Sequence, residues 1–188
     1  MKITMKLRLL LGLMLLLSTS LQAQKIFDKY ENNENVSFIS ISPKMFQFIA
    51  QLDINTDDEE TQAYLEMVKS INNFKVLIST DKEIANDFKA DVQSMVKKNT
   101  METLMRVRDE DTNVVFYMIP GKNDNEIKRL VMHVQGMPNG KLQIDKKRQV
   151  ESVLLLLDGD LNLDQIARLS DKMDLPAGEQ LKKVKKKQ

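Results

Sequence analysis

Residues 101–134 read METLMRVRDEDTNVVFYMIPGKNDNEIKRLVMHV, and where this stretch alternates and where it turns decides the fold. Met101 to Arg108 is strand-like, the polar turn Asp109-Glu110-Asp111 breaks it, and Val114 to Ile119 follows as a second run. Pro120-Gly121-Lys122-Asn123-Asp124-Asn125 makes another turn, after which Glu126 to Val134 interleaves Ile127, Leu130 and Met132 with charge. Short apolar runs broken by turn residues mark consecutive strands. Downstream, Asn139-Gly140 is a hairpin dipeptide, because both residues tolerate positive φ. Val150 to Leu157 ends in four leucines, which suits a central strand covered on both faces. The four runs form a meander.

Upstream of the meander the pattern changes period. Ser42-Pro43 places a capping hydroxyl before a proline at the first helical position, with Met45, Phe46, Ile49 and Ala50 as the expected buried stripe. Thr56 with Glu59, and Thr80 with Glu83, have capping-box spacing. The helix after Thr56 sets Tyr64, Met67, Val68 and Ile71 on one face. The helix after Thr80 does the same with Ile84, Phe88, Val92, Met95 and Val96. Asp57, Asp58, Glu59 and Glu60 favour the positive end of their helix, so this acidic run needs no ligand. A last helix after Asn162 presents Ile166, Leu169 and Met173. Val36 to Ser42 and Phe74 to Ser79 read as strands. The order predicts an α+β fold, with helices packed on one face of a mixed, mainly antiparallel sheet.

The first 23 residues read differently. Lys2, Lys6 and Arg8 precede the apolar run Leu9 to Leu17, and Ser18 to Ala23 is a short polar segment ending in a small residue. These are the three regions of a secretory signal peptide, with the cut expected after Ala23. The nine-residue run is too short to span a hydrocarbon core, which needs roughly 20 residues. The predicted organisation is a signal peptide at 1–23, one domain at 24–180, and a lysine-rich tail at 181–188. The mature protein is expected in the periplasm or outside the cell, with no membrane span.

The chain of 188 residues contains no cysteine. Disulfides, thiolate chemistry and lipid attachment at an N-terminal cysteine are therefore excluded. Cleavage would remove three of the 28 basic residues and none of the 27 acidic ones. Five of the remaining 25 are Lys182, Lys183, Lys185, Lys186 and Lys187, so the body carries 20 basic against 27 acidic residues, a net charge of −7. An acidic body argues against a nucleic-acid-binding face. The cationic tail is a candidate contact for an anionic surface or another envelope protein; a solvated chain end is the simpler reading.

Most catalytic designs lack their parts. His133 is the only histidine, no G-x-S-x-G accompanies it, and a structural histidine is the simpler reading. Zinc usually takes several nitrogen or sulfur ligands. The five glycines after residue 23 are too scattered for a phosphate-cradling loop, and no cofactor is implied. Asp158-Gly159-Asp160-Leu161-Asn162-Leu163-Asp164 begins like a calcium loop, but Leu163 and Leu169 stand where glycine and a bidentate glutamate are needed. A tight turn into a capped helix explains the same residues. Sugar-bond hydrolysis needs only two carboxyls roughly 5 to 10 Å apart. That alternative stays open, with Asp109-Glu110-Asp111 as one placement.

In arrangement the chain resembles the exported bacterial family called domain of unknown function 4252. The likeness runs through Val36 to Ser42 into Pro43-Lys44-Met45-Phe46, the Ile71-to-Ile78 passage, and Glu102-Thr103-Leu104-Met105-Arg106-Val107-Arg108-Asp109. It closes with Leu154 to Gly159 and Leu163-Asp164-Gln165-Ile166. The resemblance implies export in Bacteroidota and an envelope role, for some members beside regulators of envelope stress. It implies no catalytic residue. Some members carry a lipid-anchoring cysteine, from which this chain departs. The reading is an exported binding or accessory module; the alternative is a carboxylate-dependent hydrolase of envelope polysaccharide.

Overall fold

A computed structural model describes residues 21–51, 58–109, 112–123, 125–136, 143–145, 148–164 and 166. Its elements are α1 (Leu21–Tyr30), β1 (Val36–Ile41), α2 (Pro43–Gln51), α3 (Glu59–Ser70), β2 (Ile71–Ser79) and α4 (Lys82–Lys98). Then come β3 (Glu102–Asp109), β4 (Thr112–Pro120), β5 (Glu126–Gln135), β6 (Gln143–Asp145), β7 (Arg148–Gln149) and β8 (Ser152–Asn162). The meander is present as β3, β4, β5 and β8, while β6 and β7 pair separately as a small hairpin. Asn139-Gly140 lies outside the described residues. The main sheet has six strands in the order β1-β2-β8-β5-β4-β3. The last long strand therefore enters between β2 and β5, joining the two halves of the chain.

The α+β class is as read from the sequence. Two details differ. Every pair in the main sheet is antiparallel, because α2 and α3 return the chain to run β2 against β1, and α4 carries it to the far edge. The helices also divide between both faces. Phe27 and Tyr30 of α1 and Phe88, Val92 and Met95 of α4 pack with Leu77, Val131, Leu154 and Leu156. Phe46 and Ala50 of α2 and Val68 of α3 pack with Phe116, Leu130 and Leu161 on the other side. Consecutive apolar residues are the cause. Leu154 to Leu157 send side chains alternately to opposite faces, so one helical layer would leave half of them wet.

Local chemistry sets the ends of the elements. The N-cap of α4 is Asp81, not Thr80: its Oδ1 accepts from the Glu83 and Ile84 amides at 2.8 and 3.0 Å. Asp58 caps α3, accepting from the Thr61 amide at 3.0 Å, while Thr56 lies outside the described residues. A carboxylate at this place also meets the positive end of the helix dipole. At the other end of α4 the Met101 amide donates to Val96 O at 3.0 Å. Thr100 there takes the left-handed conformation, φ 51°, which usually falls to glycine.

Tyr30 meets Phe88 edge-on, ring centroids 4.7 Å apart. Its hydroxyl donates to Asp91 Oδ2 at 2.8 Å, and Lys29 bridges to the same oxygen. Burial pushes the Tyr30 hydroxyl up to about 12, and the hydrogen bond from Lys29 to Asp91 holds the lysine charged. These contacts dock α1 on α4. The bond expected to be cut, Ala23–Gln24, lies inside α1, and both docking aromatics follow it in the chain. No helix among the described residues is long and apolar enough to cross a membrane.

Candidate functional site

Lys182, Lys183, Lys185, Lys186 and Lys187 lie outside the described residues, as do Glu110 and Asp111. Asp109 ends β3, opposite Thr112. The calcium-like stretch is not a turn: residues 158–162 continue β8. Gly159 serves close packing there, because a Cβ at this position would sit 2.5 Å from Ser70 O. Asp158 is held by Arg129 in two bonds, Nε to Oδ1 at 2.5 Å and Nη2 to Oδ2 at 2.9 Å. Asp160 pairs with Lys128 at the surface, which keeps its carboxyl below the usual range. Asn162 Oδ1 accepts from the Asp164 amide at 2.9 Å. Strand alternation sets Asp158 and Asp160 on one side of β8, where each meets its own cation. Among the described residues no group of three or more acids or histidines could hold a metal ion.

His133 is 4% exposed and lies on the opposite side of β5 from Met132. Its Nε2 is 3.2 Å from Ser152 Oγ, and that hydroxyl donates to Val134 O at 2.8 Å. A hydroxyl has one proton to give. Ser152 therefore accepts from His133, the Nε2 position carries the hydrogen, and the ring is no base toward this serine. Ser152 is itself fully buried. The pair joins β5 to β8 and does not form a nucleophilic dyad.

Burial, with the Lys89 charge adding to it, lowers the His133 pKa from 6.5 to about 4. Between those values the unfolded chain binds a proton that the folded chain refuses, so stability falls as pH falls through the window. At about 1.4 kcal/mol per pH unit the loss approaches 3 kcal/mol at pH 4. Urea titrations from pH 7 to pH 4 should give this slope, and His133→Gln should flatten it. Equal slopes in both proteins would place the proton uptake elsewhere.

The two edges of the sheet are built unlike each other. On β3, Glu102, Arg106 and Arg108 are exposed and a bulge interrupts the register between Thr103 and Met105. Charge and bulges are how sheets protect an open edge. The opposite edge, β1, reads Val36-Ser37-Phe38-Ile39-Ser40-Ile41, without a charge, a proline or a bulge against β2. Ile39 is 46% exposed on it. In α2, which follows directly, Met45 and Phe48 are 50% and 58% exposed, and Tyr64 of α3 is also exposed.

This surface corrects two sequence expectations. Met45 is expected in the buried stripe of α2 and Tyr64 on one face with Met67 and Val68, yet Phe46 and Ala50 are what α2 buries, and Met67 and Val68 what α3 buries. Ile71 is buried too, as the first residue of β2 rather than on the helix. Two short helices sharing one sheet face each hide a narrower stripe than periodicity alone allots. The signal that could have found the surface is the missing charge across Val36 to Ile41, in a chain that is 29% charged.

Comparison with curated proteins returns no match, and neither does comparison with solved structures. A family model described as a domain of unknown function (DUF4252) matches residues 30–169. The match spans the whole main sheet, α2, α3 and α4, with the last residue of α1. With most of its length covered, including both unlike edges of the sheet, this chain belongs to the DUF4252 family.

Proposed function

We propose that this protein is an exported envelope protein acting as a binding or accessory module, and that β1 with the adjoining face of α2 is its contact for another polypeptide. The observation that carries this reading is the β1 edge, on whose outer side no strand among the described residues pairs, with Ile39, Met45 and Phe48 exposed along residues 39–48. An edge strand offers unpaired backbone donors and acceptors to an incoming strand, and alternate side chains give selectivity. Export rests on the signal-peptide features of residues 1–23, and the envelope role on what the family resemblance implies. The lysine tail, Lys182 to Lys187, is a second contact in this reading, toward an anionic surface or an acidic partner.

A photo-crosslinking residue at Ile39, in cells exporting the full chain, tests the proposal. Mass spectrometry of the envelope fraction should find one defined polypeptide joined at position 39, and none joined from position 102 on the guarded edge. The processed chain should begin at Gln24. Deleting residues 182–188 should lower adduct recovery. Absence of any adduct at position 39 overturns the surface, and unchanged recovery after the deletion removes the tail from it.

A further inference from the structure

We propose that the polypeptide bound at β1 is a second copy of this chain, the two β1 strands pairing antiparallel about a two-fold axis; the inference rests on the reading of β1 as a contact surface. Three observations favour this occupant. First, Val36 to Ile41 contains no charge, so self-pairing sets no like charges opposite each other, the usual penalty when a strand meets its own copy.

Second, the register works. A two-fold axis perpendicular to the sheet keeps the same face up in both copies, and opposed residues must share a face. The axis then passes through a residue. Through Ile39, it opposes Ile39 with Ile39, Phe38 with Ser40 and Ser37 with Ile41, and the exposed isoleucines cover each other. Aromatic and β-branched residues are favoured in such a ladder. Met45 and Phe48, just along the chain in α2, are further exposed apolar residues of the same segment.

Third, the assembly closes. Growth from β1 to the β3 edge of another copy would set Phe38 and Ile39 beside Glu102, Arg106 and Arg108, across a strand whose register is bulged. That edge refuses the strand, so association stops at two. The product is a dimer in which two six-stranded sheets run on as one, an isologous arrangement rather than a filament.

Sedimentation of the exported full chain over a concentration series tests this. The wild type should approach the mass of two chains. Ile39→Lys should weaken self-association by at least about tenfold, the cost of an unpaired charge at the axis. It should leave the unfolding midpoint of the monomer nearly unchanged, since Ile39 is half exposed. The chain has no cysteine, so Ile39→Cys gives a clean second readout. Opposed residues across an antiparallel ladder lie roughly 4.5 to 5.5 Å apart, within disulfide reach. Mild oxidation should link two copies at position 39, and Glu102→Cys should not link.

A wild type that stays at the mass of one chain, or a dimer that survives Ile39→Lys without linking through Ile39→Cys, overturns the proposal. If the chain is monomeric but position 39 still crosslinks another polypeptide in cells, the contact surface stands and only the second copy is wrong. If neither is seen, both fall.

Discussion

Replacing Arg129 by methionine should remove about 3–5 kcal/mol of folding stability. Arg129 and Asp158 face each other across β5 and β8, with 9% and 15% of their side chains exposed. Asn73 Nδ2 reaches Asp158 Oδ2 at 3.4 Å from β2, and Ile119 lies opposite Arg129 in β4. Removing the guanidinium leaves a largely buried carboxylate with one long hydrogen bond from Asn73, and that uncompensated charge dominates the loss.

The reverse comparison separates charge from packing. Asp158→Leu alone should also be costly. The double variant Arg129→Met with Asp158→Leu should regain most of the loss, because two apolar groups of similar volume need no partner. Urea unfolding of the four proteins gives the coupling energy directly. A single-variant loss under about 1 kcal/mol would mean that water reaches the pair.

Phe88→Ala should cost a similar amount, about 3–5 kcal/mol, through lost transfer energy and the cavity left behind. Phe88 of α4 is completely buried in the cluster that α1 and α4 form with the sheet, meeting the ring of Tyr30 edge-on. For a domain whose total stability is about 5–15 kcal/mol this is a large fraction. The damage should be uneven. Tyr30 loses its aromatic partner while Asp91 still accepts its hydroxyl and the Lys29 ammonium. Amide exchange should therefore accelerate in α1 more than in β5 or β8. Uniform acceleration would show that α1 is held by something other than the Tyr30–Phe88 contact.

Most elements were legible because their signals are short-range. The proline at the head of α2, the alternation of β3 to β5 and the turns between them need only neighbouring residues to be read. Caps were legible to within a residue: Asp81 does the work expected of its neighbour Thr80, and Asp58 caps α3, with Thr56 outside the described residues. An aspartate and a threonine that close together compete for the same orphan amides, and the charged acceptor is the stronger. The calcium-like residues were read as a turn because aspartate and glycine cluster there. What makes them a strand is pairing with β2 and β5, distant in the chain, and the glycine is there because the Ser70 carbonyl sits where any larger side chain would be.

The sequence by itself determined the class of the fold and the order of its elements from β1 to β5 and into β8, while α1 and the β6–β7 hairpin were not read from it. Only the tertiary structure decided which faces the helices cover, which aspartate meets which cation, that His133 donates to a buried serine, and that Ile39, Met45 and Phe48 are left at the surface. The physical reason is one of range. Periodicity, capping and turn chemistry act between residues a few positions apart, whereas burial and ion pairing join side chains that the sheet brings together from distant parts of the chain.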